Sequence, residues 1–240
     1  MLRTIVGILL GLTIMGCSHI AGGVDVWEAV ERNDGAAIRK FKAAGGDVNL
    51  LGWDGSTPLW TALERKKRYS YEALLECGAD PNIILSGKRV VTHWAAIEED
   101  PWWLRLALEH GADPNLVNVG RGRPNEGPPL SFAISLRGTL ENVKLLVEHG
   151  ADINKPLPCG LDKCHPLKSA LSQNQLDVVL YLLNQGANYK AAECPGITFL
   201  EGVRDKHKDR DRWRKIPEEY EKLDEIYSWL KSRGVDFGQD

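Results

Sequence analysis

The residues of this chain whose types and spacing could do chemistry are thiols and one imidazole. Cys159, Cys164 and His165 fall within PLPCGLDKCHP, and Cys194 follows further along. Cys159 and Cys164 can close a small disulfide loop, Cys159 can instead bridge to Cys194, or all four residues can supply the tetrahedral set that zinc takes. Short-range thiol pairs oxidise outside the cytoplasm, so the expectation for an exported chain is a Cys159–Cys164 disulfide and no metal. Cys77 reads as a lone thiol. The other histidines have plain roles. His110 and His149 each precede a helix-ending glycine, where a cation suits the carbonyl end of the helix dipole. The chain has no G-x-S-x-G elbow, no H-E-x-x-H, no phosphate-cradling glycine loop and no acid pair at a defined spacing. The expectation is no catalytic residue, no cofactor, no small-molecule substrate and no enzyme.

A second chemistry is suggested at the start of the chain. Arg3 precedes an apolar run from Ile5 to Met15 that is too short to span a bilayer and is laid out like a secretory signal. It ends Ile14-Met15-Gly16-Cys17, which resembles the bacterial lipobox. That resemblance implies a signal peptide over residues 1–16, lipidation at Cys17, and a short glycine-rich tether over 17–24. By the convention of such lipoproteins, Ser18 points to the outer membrane. The implied location is the bacterial envelope, lipid-anchored on the periplasmic face. The chain carries 30 cations against 33 anions, net −3, and loss of Arg3 with the signal makes that −4. Such a balance gives no bias toward nucleic acid.

What positions these residues is a repeated phrase. Echoes of Gly-Ala-Asp-Pro-Asn start at Gly45, Gly78, Gly111, Gly150 and Gly186, with a weaker one at Gly234, at spacings of 33, 33, 39, 36 and 48 residues. A constant minimum period with additions in single places marks one unit stacked repeatedly. Seven before each glycine stand Ile38, Tyr71, Leu104, Val143, Val179 and Tyr227; four before stand Phe41, Leu74, Ala107, Leu146, Leu182 and Leu230. Positions three apart share a helix face, so each phrase follows an amphipathic helix that its glycine stops. A further helix starts at Thr57-Pro58-Leu59, where a capping hydroxyl precedes a proline at the first helical position. Pro128-Pro129-Leu130 and His165-Pro166-Leu167 are variants of it. Ala29, Ala62, Ala95, Ala133 and Ala170 recur within these helices and let neighbours approach closely.

These features together resemble the ankyrin family, over about Val26 to Phe237. The resemblance implies an all-α solenoid of about six helix-turn-helix repeats with hairpin fingers. The array is read as 25–237, with repeats at about 25–49, 50–82, 83–115, 116–154, 155–189 and 190–237. Only His93 keeps the histidine of the family's TPLH motif; Trp27, Trp60, Ser131, Lys168 and Glu201 replace it. Three before the phrase glycine, inner repeats carry Leu75, Leu108, Val147 and Leu183, whereas the end repeats carry Lys42 and Lys231, as wet end faces require. Trp94 and Phe132 are expected in the core. Of Trp102 and Trp103, one is expected to pack. The closing helix should start at Pro217 and bury Tyr220, Leu223, Tyr227 and Leu230.

Partners of ankyrin proteins meet the finger tips and the positions after the alanine pair. Carried over, these are Leu51, Trp53, Asp54, Ser56, Glu64 and Arg65, then Ile84, Ser86, Arg89, Ile97 and Glu98, then Ser135, Leu136, Ser172 and Gln173. Trp53 either anchors a partner or lies flat against a neighbouring finger. Arg121 and Arg123, in an expanded finger, suit a carboxylate-rich partner or are simply solvated. The segment 204–215, with Trp213, reads as a solvated helix extension. The function implied is stoichiometric protein binding, most concretely by an immunity lipoprotein that neutralises a periplasm-acting toxin such as a type VI secretion lipase. An envelope scaffold, an accessory to a resident enzyme in oxidative-stress defence, and a structural tether are the alternatives.

Overall fold

A computed structural model describes residues 19–86, 90–117, 127–136, 138–159, 162–191, 198–209 and 217–238. The chain divides into two compact units, residues 1–95 with 105–113, and residues 96–104 with 114–240.

The first unit opens on a hairpin of β1 (Ile20–Ala21) and β2 (Val24–Asp25). Its turn residues Gly22 and Gly23 have φ of 57° and 74°, the left-handed pair that a two-residue hairpin turn requires. This hairpin falls inside the segment read as a tether over 17–24. Asp25 then caps α1 (Val26–Glu31), its Oδ1 accepting from the Trp27 amide at 2.9 Å. There follow α2 (Gly35–Ala43), α3 (Pro58–Glu64), α4 (Arg68–Glu76), α5 (Val91–Ala95) and, from residue 105 onward, α6 (Trp102–Glu109). Thr57 caps α3 as its sequence predicts, Oγ1 accepting from the Trp60 amide at 3.2 Å. The turns from α1 to α2 and from α3 to α4 pass through Asn33 and Lys66 at φ of 55° and 56°. Asparagine tolerates that region and lysine rarely enters it, so Lys66 carries local strain that packing must offset. Ile38, Phe41, Tyr71 and Leu74 are fully buried between the helices. Each such side chain contributes about 1.5–3 kcal/mol. A Cβ on Gly35 would lie 2.8 Å from the Tyr69 carbonyl, so α2 and α4 meet backbone to backbone.

The second unit holds α7 (Pro129–Ser135), α8 (Leu140–Glu148), α9 (Pro166–Ser172), α10 (Leu176–Asn184), α11 (Phe199–Lys208) and α12 (Pro217–Ser232). Between α8 and α9 lies a hairpin of β3 (Leu157–Cys159) and β4 (Asp162–Cys164), the finger expected there. Asn142 is fully buried and its Nδ2 donates to the carbonyls of Ala96 and Glu98 at 3.0 and 2.7 Å. Beside it, any side chain on Gly138 would overlap the Ala96 carbonyl. Trp103 is buried and meets Trp102 edge-on at 4.9 Å, the division expected of that pair. At the far end His207 is buried and stacks on Tyr227 at 3.9 Å, while its Nε2 lies 3.1 Å from Asp224 Oδ1. Tyr227 in turn stacks on Phe237 at 4.4 Å.

In both units the asparagine of each phrase reaches the next phrase. Asn49 Nδ2 donates to the Gly78 carbonyl while its Oδ1 accepts from the Asp80 amide; Asn82 does the same to Gly111 and Asp113. In the second unit Asn115 grips Gly150 and Asp152, and Asn154 Oδ1 accepts from the Asn188 amide. The ladder stops where the fifth phrase substitutes Lys190, which has no amide to continue it. All six phrase glycines take the left-handed backbone, φ between 79° and 90°.

Two expectations of burial are corrected. Trp94 is 39% exposed: on the short α5 it follows the buried His93 and meets Trp60 edge-on, ring centroids 5.7 Å apart. Tyr220 is half-buried. Phe132 is in the core as expected, and Ile226 joins Leu223 and Leu230 on the buried face of α12. Lys42 and Lys231 are both exposed.

Candidate functional site

The tip of the second repeat is a built loop. Gly55 donates its amide to the Gly52 carbonyl at 2.9 Å, Gly52 donates to Ser56 at 2.8 Å, and Gly55 takes φ of 73°. This is a three-residue hairpin turn closed by a left-handed glycine. Asp54 locks it, Oδ1 accepting from the Ser56 amide and Oδ2 from the Ser56 hydroxyl. Both flanks are packed. A Cβ on Gly52 would lie 3.1 Å from the Trp27 ring, and one on Gly55 would lie 2.8 Å from Ser86 Oγ.

Trp53 stands at the apex of that loop with its side chain 101% exposed. The indole lies against no neighbour, which removes the flat-packed alternative. Leu51, two residues before it, and Ile84, two residues before the Ser86 that packs against Gly55, are 61% and 50% exposed. A rigid loop presenting a bare aromatic ring keeps apolar area available at low entropic cost, the profile of an interface anchor. Trp94 adds a half-open ring that sequence reasoning missed, because α5 is too short for its periodicity to be read.

The remaining sequence-derived positions divide. In the first unit, Asp54, Glu64 and Ser86 are exposed, and Arg65 Nη1 pairs with Glu31 Oε1 at 2.7 Å. Exposed pairs contribute about 0–1 kcal/mol, so Arg65 can be recruited by a partner at little cost. Ser56 is a correction: it is 2% exposed, turned inward by its bonds to Asp54. In the second unit Ile97 and Glu98 are half-buried, the Glu98 carbonyl held by Asn142, while Ser135, Leu136, Ser172 and Gln173 are exposed. Cys17, Arg89, Arg121, Arg123, Cys194 and Trp213, with the side chains of Cys159 and Cys164, lie outside the described residues. The backbone register sets Cys159 opposite Asp162 and Cys164 opposite Leu157.

Chemistry elsewhere is muted. Burial pushes the Cys77 thiol up, only partly opposed by Arg39 and Lys42, so it rests protonated and weakly nucleophilic. A shallow cavity of about 440 Å³ opens at the starts of α2 and α4, beside Tyr69, Arg32 and Arg39. Its arginines are committed, Arg32 to Glu28 at 2.5 Å and Arg39 to Glu76 at 2.6 Å, and the Glu76 bond raises the Arg39 pKa. No described group of three or more His, Cys, Asp or Glu residues could hold a metal. Among the described residues no helix is long and apolar enough to cross a membrane.

Residues 92–193 match the model of ankyrin repeats, three copies. The structure resembles an ankyrin repeat domain from Acinetobacter baumannii, 25% identical, with a TM-score of 0.64 over 84% of this chain and 96% of that one. It also resembles the ankyrin repeat domain of Bcl-3, a member of the IkappaB family, at 25% identity and TM-score 0.61 over 78% of this chain and 82% of that one. The human ASB11 ankyrin domain, 22% identical, superposes with TM-score 0.60 over 89% of this chain and 85% of that one. No curated protein matches the chain by sequence. The fold is the ankyrin-repeat fold, all-α with small hairpins, which generally serves protein binding without catalysis.

Proposed function

We propose that this chain is a lipid-anchored protein binder of the bacterial envelope and, most concretely, an immunity protein that caps a toxin acting in the periplasm. The observation that carries the binding role is the bare Trp53 ring on a loop locked by Gly52, Asp54, Gly55 and Ser56. Folding does not use that ring, so a partner is its natural use. Leu51, Ile84 and Trp94 are further exposed apolar side chains of the same unit, and Glu64 and Arg65 are exposed charged ones, the composition of an apolar core with a polar rim. The toxin reading adds the lipobox resemblance at Cys17, which would hold such a binder at the membrane where a lipase works. A lipase mouth is apolar, and an indole at a rigid tip suits it.

Deleting the gene and competing the deletion strain against its parent tests this role. Selective death of the deletion strain, rescued by the intact gene and poorly by Trp53→Ala, is expected. Equal survival in contact-dependent competition overturns the immunity role, and full rescue by Trp53→Ala overturns the placement of the site.

A further inference from the structure

The fifth phrase is the odd one of the series. Where its predecessors carry Asp and Asn, it carries Asn188 and Lys190, a gain of about two positive charges at one tip by simple charge counting. Around it four side chains are already arranged. The Arg233 guanidinium lies 3.4 Å from the Trp229 ring centroid, and Trp229 meets Tyr189 edge-on at 5.8 Å. Trp229 Nε1 donates to Asn184 Oδ1 at 3.0 Å, fixing the indole, and the Lys190 ammonium stands 5.5 Å from the Tyr189 ring. Both cations are exposed, both rings are half-exposed, and neither cation has a carboxylate partner among the described residues.

We propose that Lys190, Tyr189, Trp229 and Arg233 form a docking surface for a carboxylate-rich segment of a protein partner. The surface lies outside every position assigned to binding above, and it stands whether or not Trp53 binds. A cation needed only for folding would be neutralised within the fold, as Lys222 on α12 is by Asp177 on α10 at 2.6 Å. Here the cations are held by rings, which fix their position while leaving the charge uncancelled. Arg233 Nη1 makes a long bond to Ser232 Oγ at 3.4 Å; stacking on Trp229 leaves the guanidinium edge able to meet a carboxylate, and a restrained arginine loses little entropy on binding. Lys190 supplies the second charge along the same strip. An acidic segment laid across the two would meet opposite charge at both ends and an aromatic floor between them.

Fluorescence anisotropy of a dye-labelled glutamate-rich peptide, titrated with the folded chain at low ionic strength, tests the assignment. Saturable binding is expected, weakened about tenfold or more by Lys190→Glu or Arg233→Glu and lost at high salt. Trp53→Ala should bind the peptide as the parent does, which separates this surface from the apex of the second repeat. If Arg233→Glu fails to fold, Lys190→Glu alone carries the test, since that side chain is exposed and its ammonium stands 5.5 Å from the Tyr189 ring. Three results overturn the proposal. They are no binding by the parent, an equal loss in the control Lys42→Glu, or indifference to the peptide together with retention on phosphatidylglycerol vesicles.

Discussion

Asn82 makes two bonds at once through one amide group, Nδ2 donating to the Gly111 carbonyl and Oδ1 accepting from the Asp113 amide. Asn82→Ala removes both and should lower stability by about 1–2 kcal/mol, read from the urea midpoint. An unchanged midpoint would mean that water replaces the bonds freely. Trp53→Ala is the opposite case. A ring exposed at 101% contributes nothing to packing, so its loss should leave stability within about 0.5 kcal/mol while partner capture falls. A large drop in Tm would instead assign the ring to the fold. The residue scale also shows what spacing conceals. Trp53 was legible as a tip residue because it sits in a loop between two readable helices, but its full exposure was not. Ser56, two positions from Asp54, read as outward and is turned in by a local hydrogen bond that one sequence cannot announce.

Helix starts and stops were the most legible elements, because caps and left-handed glycines are local chemistry. Thr57 bonds the Trp60 amide, and Thr57→Ala should cost about 1 kcal/mol, measured by chemical denaturation. A second cap offers a pH test. At α11, the amide of Thr198 and then its hydroxyl donate to Glu201 Oε2, at 2.8 and 2.9 Å, and hold that carboxyl below its ordinary pKa. A depressed folded pKa gives stability that is present above the unfolded pKa and lost as pH falls through the folded one. The stability difference between the parent and Glu201→Gln should therefore shrink on acidification through the carboxylate range. A difference constant with pH would remove Glu201 from the cap. Less legible were the elements without a strong period. The β1–β2 hairpin hid in a glycine-rich stretch that read as tether, and α5 hid the orientation of Trp94 because five residues show less than two turns. The asparagine ladder was equally hidden, its bonds joining residues 29 to 37 positions apart.

For the molecule as a whole, recurrence made the architecture readable: six phrases with one internal logic leave few folds open. What a single sequence cannot give is the partner, since contact surfaces are chosen by the other molecule as much as by this one. The anchoring at Cys17 and the Cys159–Cys164 disulfide belong to this scale and remain proposals with simple tests. Labelled palmitate should be incorporated by the parent and not by Cys17→Ser, and thiol counting on the exported chain should find two fewer free thiols than after reduction. Unlabelled parent, or equal counts, would contradict them. The central claim is that the apex of the second repeat seizes another protein. A photoreactive phenylalanine analogue in place of Trp53, in the full chain made by its own cells, measures this most directly. The account predicts one discrete protein adduct, diminished by Leu51→Asp or Ile84→Asp and absent when the analogue replaces Tyr69 on the helical side. No adduct at position 53, or the same adducts from both positions, would contradict it.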